Sequence, residues 1–147
     1  MGTPTHFSGL AVKTRTVADA ATYTFKREHS GRVHFIPDLT ADCTFTLPAA
    51  EDGLYYELVY TGTAADAQDW IINTAATTSL FYGGLIHADT DAGSAGDEIV
   101  VVDADQVDDD TMTILTPEAG TRVVIVSDGT HWYISGIVAS ATVPTFA

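Results

Sequence analysis

The chain has 147 residues, one domain's worth, with 46% hydrophobic and 18% charged residues, so it has the material for a core and is not of disordered composition. Six basic residues stand against twenty acidic ones, a net charge of −14, which argues against gripping nucleic acid phosphates or docking on an anionic membrane surface. Cys43 is the single cysteine, which excludes an internal disulfide and a cysteine-rich zinc site. No stretch approaches the roughly 20 apolar residues of a membrane-spanning helix. The N-terminal residues Met1 to His6 lack the basic start and apolar centre of a signal peptide. The expectation is a soluble, acidic protein made in a reducing cytoplasm.

Thr, Val and Ile fill 44 positions, whereas Leu contributes eight and Glu five. β-Branched side chains are stiff at χ1 and suit a pleated surface better than a helix. The first twenty residues hold few large apolar groups beyond Phe7 and Leu10 and read as an N-terminal arm. Thr22–Phe25 alternates polar and aromatic residues, the pattern of a half-buried strand. Val33–Ile36 follows and is closed by Pro37-Asp38; Cys43–Leu47 alternates and ends at Pro48. In Leu54–Tyr60, residues Leu54, Tyr56, Leu58 and Tyr60 share one face. Trp70–Asn73 and Leu80–Tyr82 are shorter candidates, and Gly83-Gly84 reads as a turn before Leu85–His87.

Ile99–Val102 is an unbroken apolar run, the pattern of a strand buried on both faces. Thr111–Leu115 alternates loosely up to Pro117. Arg122–Val126 leads through Ser127-Asp128-Gly129-Thr130 into His131–Ile137, a hairpin signal in which Asp-Gly fits a type I′ turn. Residues 138–147 are uncharged and read as an extended tail. Nine to eleven strands and no helix predict an all-β domain over 21–137, a β-sandwich or jelly roll, flanked by the arm (1–20) and the tail (138–147).

Charge is polarised along the chain. Lys13, Arg15, Lys26, Arg27 and Arg32 face only two acids within the first 32 residues; the remainder carries one base, Arg122, against eighteen acids. One reading is chance and solubility; the other is a basic docking segment on an acidic body, steered onto an acidic partner while the bodies repel one another. The residues that such a docking segment would use are Phe7, Leu10, Lys13, Arg15, Lys26, Arg27 and Arg32.

No G-x-S-x-G elbow, H-E-x-x-H, phosphate-binding loop or G-x-G-x-x-G is present, and the five histidines are scattered, so no catalytic residue is assigned and no enzyme is expected. The acidic run Asp103–Asp110 fails the EF-hand template. Val107 holds the fifth position, Asp108 the glycine position and Ile114 the twelfth. Asp89–Gly93 lacks the closing glutamate as well. Both read as solvated acidic loops, with no metal and no cofactor assigned. Glu51-Asp52 and Asp66/Asp69 are carboxylate pairs that any acidic chain offers. Six Tyr, six Phe and two Trp are core material for the most part; Tyr55 and Tyr133, opposite in phase to the main apolar faces, are the candidates for contact with a partner or a glycan.

The stretch Val126-Ser127-Asp128-Gly129-Thr130-His131-Trp132-Tyr133-Ile134 resembles a recurring element of tailed-bacteriophage virion proteins, in which an S-D-G-T-x-W-Y hairpin closes a β-rich module. Thr46-Leu47-Pro48-Ala49-Ala50, followed by Gly53 and an aromatic strand, is similar to the opening of those modules. The two motifs frame roughly residues 44–136, and the chain departs from the pattern between 75 and 110. The same element occurs in capsid decoration proteins, head fibres and tail fibres. The resemblance implies a virion structural protein, usually trimeric, with no catalytic residues. Fibres are usually long and multi-modular, so a 147-residue chain with an arm is most like a capsid decoration (cement) protein on the outer face of the head. Its expected partners are the major capsid protein and copies of itself in a homotrimer, with neither nucleic acid nor membrane. The alternative is a head- or tail-fibre module that binds a host-surface glycan or receptor.

Overall fold

A computed structural model describes residues 11–91, 93 and 98–147. It contains twelve strands: β1 (Thr14–Thr16), β2 (Thr22–Thr24), β3 (Arg32–Ile36), β4 (Cys43–Thr46), β5 (Asp52–Tyr60), β6 (Trp70–Asn73), β7 (Phe81–Asp89), β8 (Ile99–Asp103), β9 (Thr111–Ile114), β10 (Arg122–Asp128), β11 (Trp132–Ser140) and β12 (Thr145–Phe146). The one helical segment among the described residues is a 3-10 turn at Arg27–His29. The strands form a seven-stranded sheet in the order β1-β3-β5-β10-β11-β7-β8 and a five-stranded sheet in the order β12-β9-β6-β4-β2. The two sheets pack as a β-sandwich, the all-β architecture expected from the β-branched composition.

The first six strands alternate between the sheets. Strands two apart in sequence therefore lie side by side and parallel: β1-β3-β5 in one sheet and β2-β4-β6 in the other. This winding brings residues some twenty apart in sequence into neighbouring positions, such as Thr14 beside Val33 and Val33 beside Glu57. The alternation seen in sequence sets which side chains enter the sandwich. Leu54, Tyr56, Leu58 and Tyr60 of β5 point inward and are buried, as do Cys43 and Phe45 of β4. Trp70, Ile72, Met112 and Ile114 line the five-stranded side; Val123, Ile125, Trp132 and Ile134 line the other. Ring contacts such as Phe25–Tyr56 (5.0 Å) and Tyr60–Trp70 (6.2 Å) join the inward-facing aromatics.

Five expectations are corrected. The arm is not free to residue 20: β1 pairs with β3 and Val17 is buried, because three-residue polar strands such as Thr14–Thr16 carry no hydrophobic period to read. Nor is 138–147 a free tail, since β11 runs to Ser140 and β12 pairs with β9. Gly83-Gly84 is not a turn but lies inside β7. A Cβ at Gly83 would sit 2.5 Å from the Ile134 carbonyl oxygen and one at Gly84 2.6 Å from that of Val102, so these residues let three strands approach closely. Finally, β8 is an edge strand, not a central one: Ile99 is 76% and Val101 70% exposed. The β10–β11 hairpin is present, but its turn is not type I′. Gly129 is its one residue at positive φ, and the Asp128 side chain closes the turn by accepting from the Thr130 and His131 N–H groups at 2.8 Å.

Candidate functional site

The winding of the first six strands assembles a cationic edge. β1 is the edge of the seven-stranded sheet and β2 the edge of the five-stranded one, and the 3-10 turn at Arg27–His29 connects β2 to β3. Arg15 Nε on β1 donates to Tyr23 Oη on β2 at 2.9 Å, which ties the two edges together. Lys13, Arg15, Lys26 and Arg27 are exposed here and Arg32 is half-buried. Arg27 pairs with Glu51 at 3.2 Å, an exposed pair of little energetic weight. Lys13, Arg15, Lys26 and Arg32 have no ion-pair partner among the described residues.

His29 sits beneath this edge. It is buried, it stacks on Tyr23, and its Nδ1 accepts the Lys26 N–H at 3.1 Å, which places the proton of the neutral ring on Nε2. Burial holds its pKa below the ordinary value, and the charges of Arg15, Lys26 and Arg32 push the same way against Glu28. Three of the five basic candidates are thus close enough to act on one imidazole. Phe7 and Leu10 lie outside the described residues. Deeper in, His34 has no exposed surface, neither ring nitrogen has a partner of good geometry, and burial pushes its pKa down to about 4.

The opposite lateral edge is acidic. Asp103 ends β8, and Asp105, Asp108 and Asp109 in the following loop hold carboxylate oxygens within 4.8 Å of one another. Those oxygens also serve the loop itself: Asp105 accepts the Val107 N–H at 2.9 Å and the buried Asp109 accepts the Gln106 N–H at 3.1 Å. A hard cation takes six to eight oxygens, and three carboxylates are a partial set. The molecule therefore has a cationic edge and an acidic edge separated by the width of the seven-stranded sheet.

Between the two edges lies the outer face of that sheet. Tyr55 and Tyr133 are both on it, on either side of Val126, and Tyr82 continues the row with its ring 5.5 Å from that of Tyr133. Tyr55 Oη donates to Glu57 Oε2 at 2.8 Å, and Arg122 Nη2 holds Glu57 Oε1 at 2.6 Å. Burial and then the bond to Glu57 raise the Tyr55 pKa. Tyr133 Oη donates to Asp128 Oδ2 at 3.2 Å, which raises its own pKa. Sequence reading found these two tyrosines but missed their company. Ile86, Val101 and Ile137 form a cross-strand row on the same face, and each is at least 44% exposed. The signal was present as the opposite phase of β7, β8 and β11, and for Val101 it was masked by the unbroken apolar run Ile99–Val102, which reads as buried on both faces.

The chain matches no protein-family model and no curated relative.

Proposed function

We propose that this protein is a bacteriophage capsid decoration protein that binds the outside of the assembled head through its cationic edge and stabilises the shell. The observation that supports this reading is the polarised charge: four cations without ion-pair partners among the described residues on one edge of a chain of net charge −14. An acidic shell surface is the complementary partner, and long-range attraction orients the cationic edge toward it while the acidic loops 103–110 face away. A protein that binds only the expanded lattice stabilises that lattice by mass action. In a homotrimer, three such edges bind together and gain from avidity. The sequence resemblance to virion β-modules supports the same assignment, with the major capsid protein as partner.

The test is binding of purified protein to expanded heads of the phage that encodes it. Reversing three edge charges (Lys13→Glu, Arg15→Glu, Lys26→Glu) weakens binding at least about tenfold, and raising the salt weakens the wild type in the same direction. Undiminished binding of the triple variant refutes the docking edge. The row of the half-buried Tyr55 and Tyr82 with the exposed Tyr133 favours a second reading, a glycan-binding module of a fibre, since accessible aromatic rings stack on sugar faces. Glycan-array binding that disappears on Tyr133→Ala supports it, and a flat array counts against it.

A further inference from the structure

The apolar run of β8 reads as a strand covered on both faces, yet its outer side chains are open to water. Of the eight exposed large hydrophobic residues, Ile86, Ile99, Val101, Tyr133 and Ile137 lie on one face of one sheet. Contiguous apolar surface of this kind marks a contact with another molecule. β8 also pairs on one side only. Its Val100 and Val102 face His87 and Leu85 of β7, and among the described residues no strand flanks it on the other side. Two strands away on the same face is a groove of about 240 Å³ lined by Gly120, Arg122, Val124, Ser135, Gly136 and Ile137.

We propose that this face is an interface between copies of the chain, in which Ile99 and Val101 of one copy enter the Arg122–Ile137 groove of the next. Charge complementarity selects a second copy as the occupant. Arg122, the one basic residue after position 32, stands at the groove and is 64% exposed; Glu98 and Asp103 flank the β8 knobs and are exposed. Both Glu57 oxygens are already taken by Arg122 and Tyr55, but a guanidinium has five N–H donors and retains some for an incoming carboxylate. Symmetric pairing of β8 with β8 would instead gather Glu98 and Asp103 of both copies at one seam, which like-charge repulsion disfavours.

Knob and groove lie on one face: a two-fold pair would seat both knobs reciprocally, whereas a cyclic ring seats each knob in the next copy, and the ring is the arrangement that the homotrimer of the proposed function requires. Knob and groove lie only about 10 Å apart, two strand spacings, on one face, so the copies gather around an axis beside that face and the ring is small. The proposal supplies a face for the homotrimer of the proposed function but does not need a capsid, and it is tested without one.

The experiment is a solution mass measurement on the full chain at concentrations on the order of 100 µM, far above a micromolar Kd. The wild type sediments as an integral multimer. A knob variant (Ile99→Asp with Val101→Asp) and a groove variant (Ser135→Tyr) each sediment as monomers while keeping the wild-type circular dichroism, since all three positions are exposed. An equimolar mixture of the two variants recovers a dimer, because one copy still offers a groove and the other a knob. A monomeric wild type, or two variants that both remain multimeric, overturns the proposal. A wild type that sediments as a dimer overturns the ring, and a mixture that stays monomeric overturns the knob-in-groove contact. Capsid binding by a monomeric variant leaves the docking edge standing, so the two ideas fail separately.

Discussion

His34 lends itself to the sharpest stability test. Its ring is fully buried on β3 against Phe25 (centroids 4.9 Å apart), with Tyr56 also in ring contact, and burial holds its pKa at about 4 instead of 6.5. The unfolded chain binds a proton at this site near pH 6.5; the folded chain resists it until about pH 4. Stability at this site is therefore fully present above pH 6.5 and is lost as the pH falls toward 4, below which no more is lost. Between pH 7 and pH 4 the difference in proton uptake amounts to about 3 kcal/mol. Carboxylates titrate over the same range, so the comparison is with His34→Leu, which is similar in volume and cannot take up a proton. Urea unfolding at both pH values gives the change in stability for each protein. The wild type should lose about 3 kcal/mol more than the variant, and the variant should be no less stable at pH 7, since two unpartnered buried nitrogens are removed. Equal losses in the two proteins would refute the claim that His34 is held neutral by burial.

Gly136→Ala should destabilise by about 3 kcal/mol or more in a thermal melt, because φ is +152° and the new Cβ would lie 2.2 Å from the Arg122 carbonyl oxygen. Arg122→Ala leaves the Glu57 carboxylate, 7% exposed, without its cation; a loss of about 1–2 kcal/mol is expected in urea unfolding, with partial recovery on adding Glu57→Gln. Cys43 is fully buried and burial pushes its thiol up to about 11, so the native protein should not react with a disulfide reagent at pH 8, whereas the urea-unfolded chain should react at once. Rapid labelling of the native state would contradict that placement.

Much of the fold was legible because alternation is a physical consequence of the pleat. The inward set Leu54, Tyr56, Leu58 and Tyr60 follows from period two alone, and Trp132 and Ile134 follow from the hairpin. The parallel winding of β1-β3-β5 was not legible, because a short polar strand such as Thr14–Thr16 is stabilised by its neighbour's backbone and not by its own side chains. The turn at Gly83-Gly84 was misread for a related reason: glycine serves a bend and a close approach equally well, and only the neighbouring strands decide. The basic residues could be seen as a cluster in sequence, but their convergence on one sandwich edge depends on β2 crossing to the other sheet. Ile99–Val102 is the most instructive case. Four consecutive aliphatics signal burial on both faces, and within one copy the outer face stays open. At the proposed interface, the burial that the sequence encodes is completed by a second chain.

Electron cryomicroscopy of expanded heads mixed with the protein decides whether the cationic edge docks on the shell. Added density is expected on the outer surface where capsid subunits meet, with the Lys13, Arg15 and Lys26 edge against the shell and the 103–110 loop pointing outward. Bare heads, or density that places the acidic edge against the shell, would contradict that docking.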